Sequence, residues 1–248
     1  MTIFSRVDVM SSTRLRRMII SAMFLSMALV MRTFFAMYIP LFGESGMRIS
    51  LHVIFTSMPA ILFGPIYGAL VAGLSDLIGF QLRPTGAFLP QMTMTAALGG
   101  FIRGGLWLLL TGRSPKIMRS FVAAVSVILL SIGIYNMESL MIISASFGIF
   151  LIAFDYIFSK FLLKERFKIN TMALLIAMMA AGVIVNTLNT VILRNTVLPS
   201  WQLLPFSAVW LPRVMQAVGT TMVVTYFVAI LLGISESQVQ FKAWLKGK

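Results

Sequence analysis

Long apolar runs follow one another along almost the whole of this chain, and they restrict what it can fold into. IISAMFLSMALVMRTFFAMYI, residues 19–39, is the first. A run of roughly 20 apolar residues is long enough to cross a bilayer as a helix. A helix suits that setting because it satisfies its own backbone polar groups where no water can. Composition agrees: 59% of the 248 residues are hydrophobic and 11% are charged, against about 25% charged in soluble domains. Mean hydropathy is +0.95. The expected fold class is an all-α polytopic membrane protein, a single transmembrane domain over residues 1–248.

Eight apolar helices are expected: Arg17–Tyr38, Ser50–Phe63, Pro65–Phe80, Gln91–Leu110, Ser120–Tyr135, Ser139–Phe161, Thr171–Leu193 and Phe206–Ile234. Gly64-Pro65 separates the second from the third, because proline disfavours helical geometry at the residue before it. The first run is too long for a cleaved signal peptide and lacks a following small-residue cleavage site.

Charge placement sets the expected topology. Cytoplasmic loops of membrane proteins carry an excess of Lys and Arg. With the N-terminus in the cytoplasm, fourteen cations fall inside: Arg6, Arg14, Arg16, Arg17, Arg113, Lys116, Arg119, Lys160, Lys164, Arg166, Lys168, Lys242, Lys246 and Lys248. Only Arg48, Arg83 and Arg194 fall outside. Fusing the second and third helices would reverse the Arg113–Arg119 loop, so an even number of spans with both termini cytoplasmic is expected. The net charge of +13 follows from this pattern, and no nucleic-acid partner is expected. The outer stretches Ile39–Ile49, Leu82–Pro90 and Arg194–Pro205 are rich in turn formers, and such loops commonly cap ligand sites.

The chain has no Cys and a single His, His52. Thiolate chemistry, disulfides and multi-histidine metal clusters are therefore excluded. There is no Walker A sequence, no Ser/His/Asp set with sensible spacing and no carboxylate pair on one helix. Neither enzymatic activity nor a cofactor is expected, and any ATP hydrolysis must come from partners.

Ionisable residues within membrane segments are costly and are functional candidates for that reason. Arg32, Asp76 and Arg213 map to the outer half of their helices. A polar cavity open to the outside, with arginines for an anionic substrate, accounts for them, since a guanidinium donates two parallel hydrogen bonds to a carboxylate. An Asp76–arginine pair that merely joins helices is the structural alternative. Arg103 lies near the cytoplasmic end of its helix and is expected to snorkel. Asp155 is expected at the inner interface. Neutral polar groups cluster at the outer ends of other helices: Gln91, Thr93 and Thr95; Asn186 and Asn189, three apart and so on one face; Thr187 and Thr190; and Gln216, three residues after Arg213. The candidate substrate-binding set is Arg32, Arg48, Gln91, Asn186, Asn189, Arg213 and Gln216. Ala22 and Ser26, four apart on the first helix, form a small-xxx-small face that permits close helix approach.

The stretch MRISLHVIFTSMPAILFGPIYGALVAGLSDLIGF, followed by RPTGAFLPQMTMTAALGGFIRGGLW, resembles the substrate-binding S components of energy-coupling factor (ECF) vitamin transporters, folate/pantothenate branch. Arg48-Ile49-Ser50, Phe63-Gly64-Pro65, the Gly68–Asp76 helix, Pro84-x-Gly86 and the Thr93–Gly104 helix carry the resemblance. VNTLNTVILR and PRVMQAVGTTMVV resemble that family's last two helices. The resemblance covers about three-quarters of the chain. It implies a six-helix core, here about 17–110 and 171–234, with an inserted helix pair at about 120–161. It further implies a membrane-embedded, high-affinity vitamin-binding subunit of an ABC importer. Such a subunit works with a transmembrane scaffold subunit, which Ala22 and Ser26 would contact, and two cytoplasmic ATPases. The expected ligand is a carboxylate-bearing vitamin such as folate or pantothenate, with cobalamin as a further option. An autonomous ion-coupled secondary transporter using Asp76 is the alternative reading.

Overall fold

The computed structural model of the chain describes residues 3–42, 44–84, 86–137, 139–157 and 170–237. Lys160, Lys164, Arg166 and Lys168, and both chain ends, lie outside them, as does the expected end of the sixth helix. Eight helices are present among the described residues: α1 (Ile3–Phe34), α2 (His52–Phe63), α3 (Pro65–Leu82), α4 (Pro90–Leu110), α5 (Pro115–Tyr135), α6 (Ser139–Ile157), α7 (Thr171–Thr196) and α8 (Phe206–Ser237). Six are long and apolar enough to cross a membrane, α1 through its Arg14–Phe34 portion. The chain is a multi-pass membrane protein. Large apolar side chains such as Met18, Met23, Phe121 and Ile128 lie exposed on its surface, as a lipid solvent requires.

The turn between α2 and α3 follows from two residues. Gly64 adopts φ +99°, a backbone conformation that L side chains rarely enter, and caps α2 by donating to the Ala60 carbonyl at 3.1 Å. Pro65 then opens α3, where its missing N–H would have had no helical partner anyway. At 12 residues, α2 is only about 18 Å long at 1.5 Å per residue.

Small residues let α3 and α4 lie backbone to backbone. A Cβ at Gly100 would run into the Gly68 carbonyl, and one at Gly104 would meet Pro65 and the Ala60 carbonyl. The largest apolar core joins Ile54, Met58 and Ile61 of α2 to Leu174 and Met178 of α7 and Val224, Val228 and Leu232 of α8. α5 and α6 pack mainly on each other and reach the remaining helices chiefly through α7. At that junction Asp155 of α6, 1% exposed, pairs with Arg119 of α5 at 2.5 Å and accepts from the Thr171 hydroxyl of α7 at 2.7 Å. Asp155 is thus a buried tie between helices.

The first outer stretch departs from the expected loop. α1 ends at Phe34, four residues before the expected Tyr38, and the chain enters an antiparallel hairpin of β1 (Met37–Leu41) and β2 (Glu44–Ile49). Met37 pairs with Ile49, Tyr38 with Arg48 and Ile39 with Met47. The ladder is irregular between Ile39 and Leu41, where Pro40 has no N–H to contribute.

Candidate functional site

A cavity of about 370 Å³ lies beneath the hairpin, within the 300–1,000 Å³ range usual for small-molecule sites. Its wall draws on α1, α2, α3, α4, α7 and α8, on the hairpin and on the α3–α4 loop, and no described residue of α5 or α6 contributes. Arg32, Arg48, Arg103 and Arg213 face it, with Asp76 as the single carboxylate among the described residues. Four cations against one anion give the cavity a strongly positive field.

Each cation is held differently. Arg32, 9% exposed, is neutralised: its Nη2 lies 2.7 Å from Asp76 Oδ1, and the Thr93 hydroxyl donates to Asp76 Oδ2 at 2.9 Å. Gly79 makes this possible, because a Cβ there would collide with the Arg32 side chain. Arg48 projects from β2, whose position is fixed on α8 by Gln216 Nε2 donating to the Arg48 carbonyl at 3.0 Å.

Arg213 is held by a short relay. Its Nε donates to Thr190 Oγ1 at 2.8 Å, and that hydroxyl donates to the Asn186 carbonyl at 2.7 Å. Asn186 Nδ2 donates in turn to the Arg213 carbonyl at 2.5 Å. The guanidinium lies 5.5 Å from the ring centre of the fully buried Trp201, a cation–π geometry. Trp201 belongs to a 3₁₀ turn, Pro199–Leu203, which Arg194 clamps by donating to the Trp201, Gln202 and Leu204 carbonyls.

Of the candidate binding residues, Arg32, Arg48, Asn186, Asn189, Arg213 and Gln216 line the cavity. Gln91 does not. It sits exposed in the first turn of α4, while Met92 and Ala96 turn inward. Ala22 and Ser26 are both exposed on α1, with the Ser26 hydroxyl donating to the Ala22 carbonyl at 3.0 Å.

Arg103 corrects its sequence-based placement. It does not snorkel toward the cytoplasm: it is 8% exposed and turns into the cavity, its Nη1 3.2 Å from Ser57 Oγ and 3.5 Å from Thr56 Oγ1. Hydroxyls on the inward face of α2 draw it there, and Thr56 and Ser57 are the available signal within the apolar run that follows His52. His52 and Ser50 were also not singled out for the site. Both line it, with His52 Nδ1 3.0 Å from Ser50 Oγ. Thr95 Oγ1 lies 2.5 Å from Asn189 Oδ1 and fixes the Asn189 side chain across α4 and α7.

Comparison with known proteins adds one relationship. No family model matches the chain, and no solved structure matches it. A curated protein, the folate transporter FolT of Clostridium novyi (strain NT), is 30% identical to it over 87 residues. This chain is similar to a folate transporter. The matched stretch is 35% of this chain and 48% of the relative, so the chain spans about half the length of the curated protein it matches. That relative is a transporter by name, and the spans and cavity described above are of the kind a transport protein needs.

Proposed function

We propose that this chain is the membrane-embedded binding subunit of an ECF-type vitamin importer and that its ligand is a carboxylate-bearing vitamin of the folate class. The observation that carries the reading is the cavity wall. Four arginines and one aspartate surround a space of about 370 Å³, and a charge-assisted hydrogen bond from such a guanidinium to a carboxylate contributes roughly 1.5–3 kcal/mol. The likeness to a folate transporter and the S-component-like sequence support the same ligand class. The helices that contribute to the wall are α1–α4, α7 and α8, which supports a six-helix binding core with α5–α6 inserted beside it.

The alternative, an autonomous ion-coupled carrier using Asp76, is disfavoured. Asp76 is engaged on one oxygen by Arg32 and on the other by Thr93, which leaves it poorly placed to exchange an ion during each cycle. In the proposed importer the chain has no catalytic role. A transmembrane scaffold subunit and two cytoplasmic ATPases supply coupling and ATP hydrolysis, and the exposed Ala22–Ser26 face of α1 docks on the scaffold.

Calorimetric titration of the purified chain with folic acid, pantothenate and cobalamin tests the ligand. Saturable binding of folic acid alone is expected, and binding of only cobalamin or pantothenate would replace the ligand assignment. Reconstitution with and without the partner subunits tests the mechanism. Uptake by the chain alone, driven by an ion gradient, would overturn the importer. Ala22→Trp and Ser26→Trp should keep folic acid affinity while abolishing uptake by the full complex. Wild-type uptake in both would move the docking face elsewhere.

A further inference from the structure

Arg103 is a buried cation with no counter-charge among the described residues. It lies thirteen residues beyond Pro90, the first residue of α4, about 20 Å along the helix axis at 1.5 Å per residue. Its Cα therefore lies toward the inner end of the wall, and its guanidinium, beside Gly99 and Ser57, faces the cavity from there. A guanidinium has five N–H donors. Two hydroxyls, Ser57 and Thr56, stand within reach of Nη1, and no carboxylate among the described residues pairs with the side chain. Ser57 spends its own proton on the Val53 carbonyl at 2.6 Å, so it turns a lone pair to Arg103 and orients the fork. Beside the fork, Gly99 keeps the helix surface flat: a Cβ there would lie 3.4 Å from Arg103 Nη2.

Burying an arginine without an acid is costly, and an apolar side chain of similar volume is often the more stable choice. Arg32 shows how this fold treats a cation that it needs for itself, since Asp76 pairs with it. We propose that Arg103 is a ligand-reading residue: its free N–H groups grip two coplanar acceptor atoms at the inner end of the bound vitamin. The proposal rests on the folate-class reading and deepens it. A folate offers two sources of that chemistry, a carboxylate of its glutamate tail and the carbonyl–nitrogen edge of its fused ring. On this view Arg32 is a structural cation and Arg103 a binding one, the reverse of their placement from sequence.

The test uses the full chain, its Arg103→Met and Arg103→Lys variants, and three probes: folic acid, pteroic acid, which lacks the glutamate, and p-aminobenzoylglutamate, which lacks the ring. Arg103→Met should weaken folic acid by about tenfold or more, the loss expected for one good polar contact. It should weaken one fragment similarly and spare the other, and the fragment that loses affinity identifies the acceptor. Arg103→Lys should recover only part of the loss, because an ammonium has no fork. Without ligand, Arg103→Met should melt no lower than wild type. Folic acid affinity within about twofold of wild type, equal losses in both fragments, or a ligand-free melting temperature lower by more than about 5 °C would each overturn the proposal. If wild type binds none of the three probes, the folate-class reading fails by itself, and the ligand-free melting comparison still decides whether Arg103 is structural.

Discussion

Arg32 and Asp76 form a 2.7 Å ion pair that ties α1 to α3 in the wall of the cavity. Both are largely buried, at 9% and 14% side-chain exposure, so each needs the other. Removing one partner of such a pair strands the other charge, at a cost of about 3–5 kcal/mol, whereas replacing both by apolar groups is often neutral. Asp76→Ala should therefore lower thermal stability sharply, and Arg32→Met combined with Asp76→Leu should recover most of it. A double variant as unstable as the single one would show that the pair has a role other than joining helices.

α5 and α6 are expected to be energetically coupled to α7 but separate from ligand binding. Arg119→Ala leaves the Asp155 carboxylate, 1% exposed, with the Thr171 hydroxyl as its remaining polar contact among the described residues. Asp155→Asn removes the charge and keeps a group that can still meet that hydroxyl. Arg119→Ala should thus be the more destabilising of the two in a melting experiment. Arg119 is partly exposed at 29%, which tempers the effect. Neither substitution should change ligand affinity, since no described residue of α5 or α6 faces the cavity. A large loss of affinity in either would tie the pair to the site.

Much of this architecture is legible in the sequence, for reasons that also mark the limit. Lipid imposes long apolar segments, and Gly64-Pro65 has a local conformational signature, so eight helices and the α2–α3 break can be read directly. The hairpin is another matter. Met37, Tyr38 and Ile39 continue the apolar run of α1, and short apolar runs do not distinguish helix from strand. Depth along a helix is also readable: Arg32 lies near the end of α1 that enters the hairpin and Arg213 near the start of α8. Rotation about the helix axis is not readable where nearly every neighbour is apolar. Arg103 turns toward Ser57 and Gln91 turns outward for tertiary reasons: α2 lies against α4, and Pro90 fixes where α4 begins. The neutralisation of Arg32 likewise depends on α1 meeting α3, a contact between residues 44 positions apart.

Topology can be checked without background labelling because the chain has no cysteine. Asn195, exposed at the end of α7, and Arg113, exposed between α4 and α5, are expected on opposite sides of the membrane. An impermeant thiol reagent added to intact cells should label Asn195→Cys and Glu44→Cys but not Arg113→Cys or Lys164→Cys. The reverse pattern would invert the protein and place the cavity mouth in the cytoplasm.

Arg213 provides the most direct test of an anionic ligand at the outer part of the site. Its position is set by Thr190 and Asn186 on the neighbouring helix, and its guanidinium also rests against Trp201. The relay fixes the base of the side chain through Nε. Arg213→Ala should raise the dissociation constant for folic acid by about 10- to 150-fold, the equivalent of a charge-assisted bond of roughly 1.5–3 kcal/mol. Thr190→Val keeps the cation but removes the acceptor for Nε, so it should cost less, about 2- to 10-fold, through looser positioning. Combining the two should give no more than the Arg213→Ala loss, because Thr190 acts on the ligand only through Arg213. Calorimetric titration of the three variants measures this ordering. Additive losses would mean that Thr190 touches the ligand itself, and unchanged affinity in Arg213→Ala would remove the outer anion site altogether.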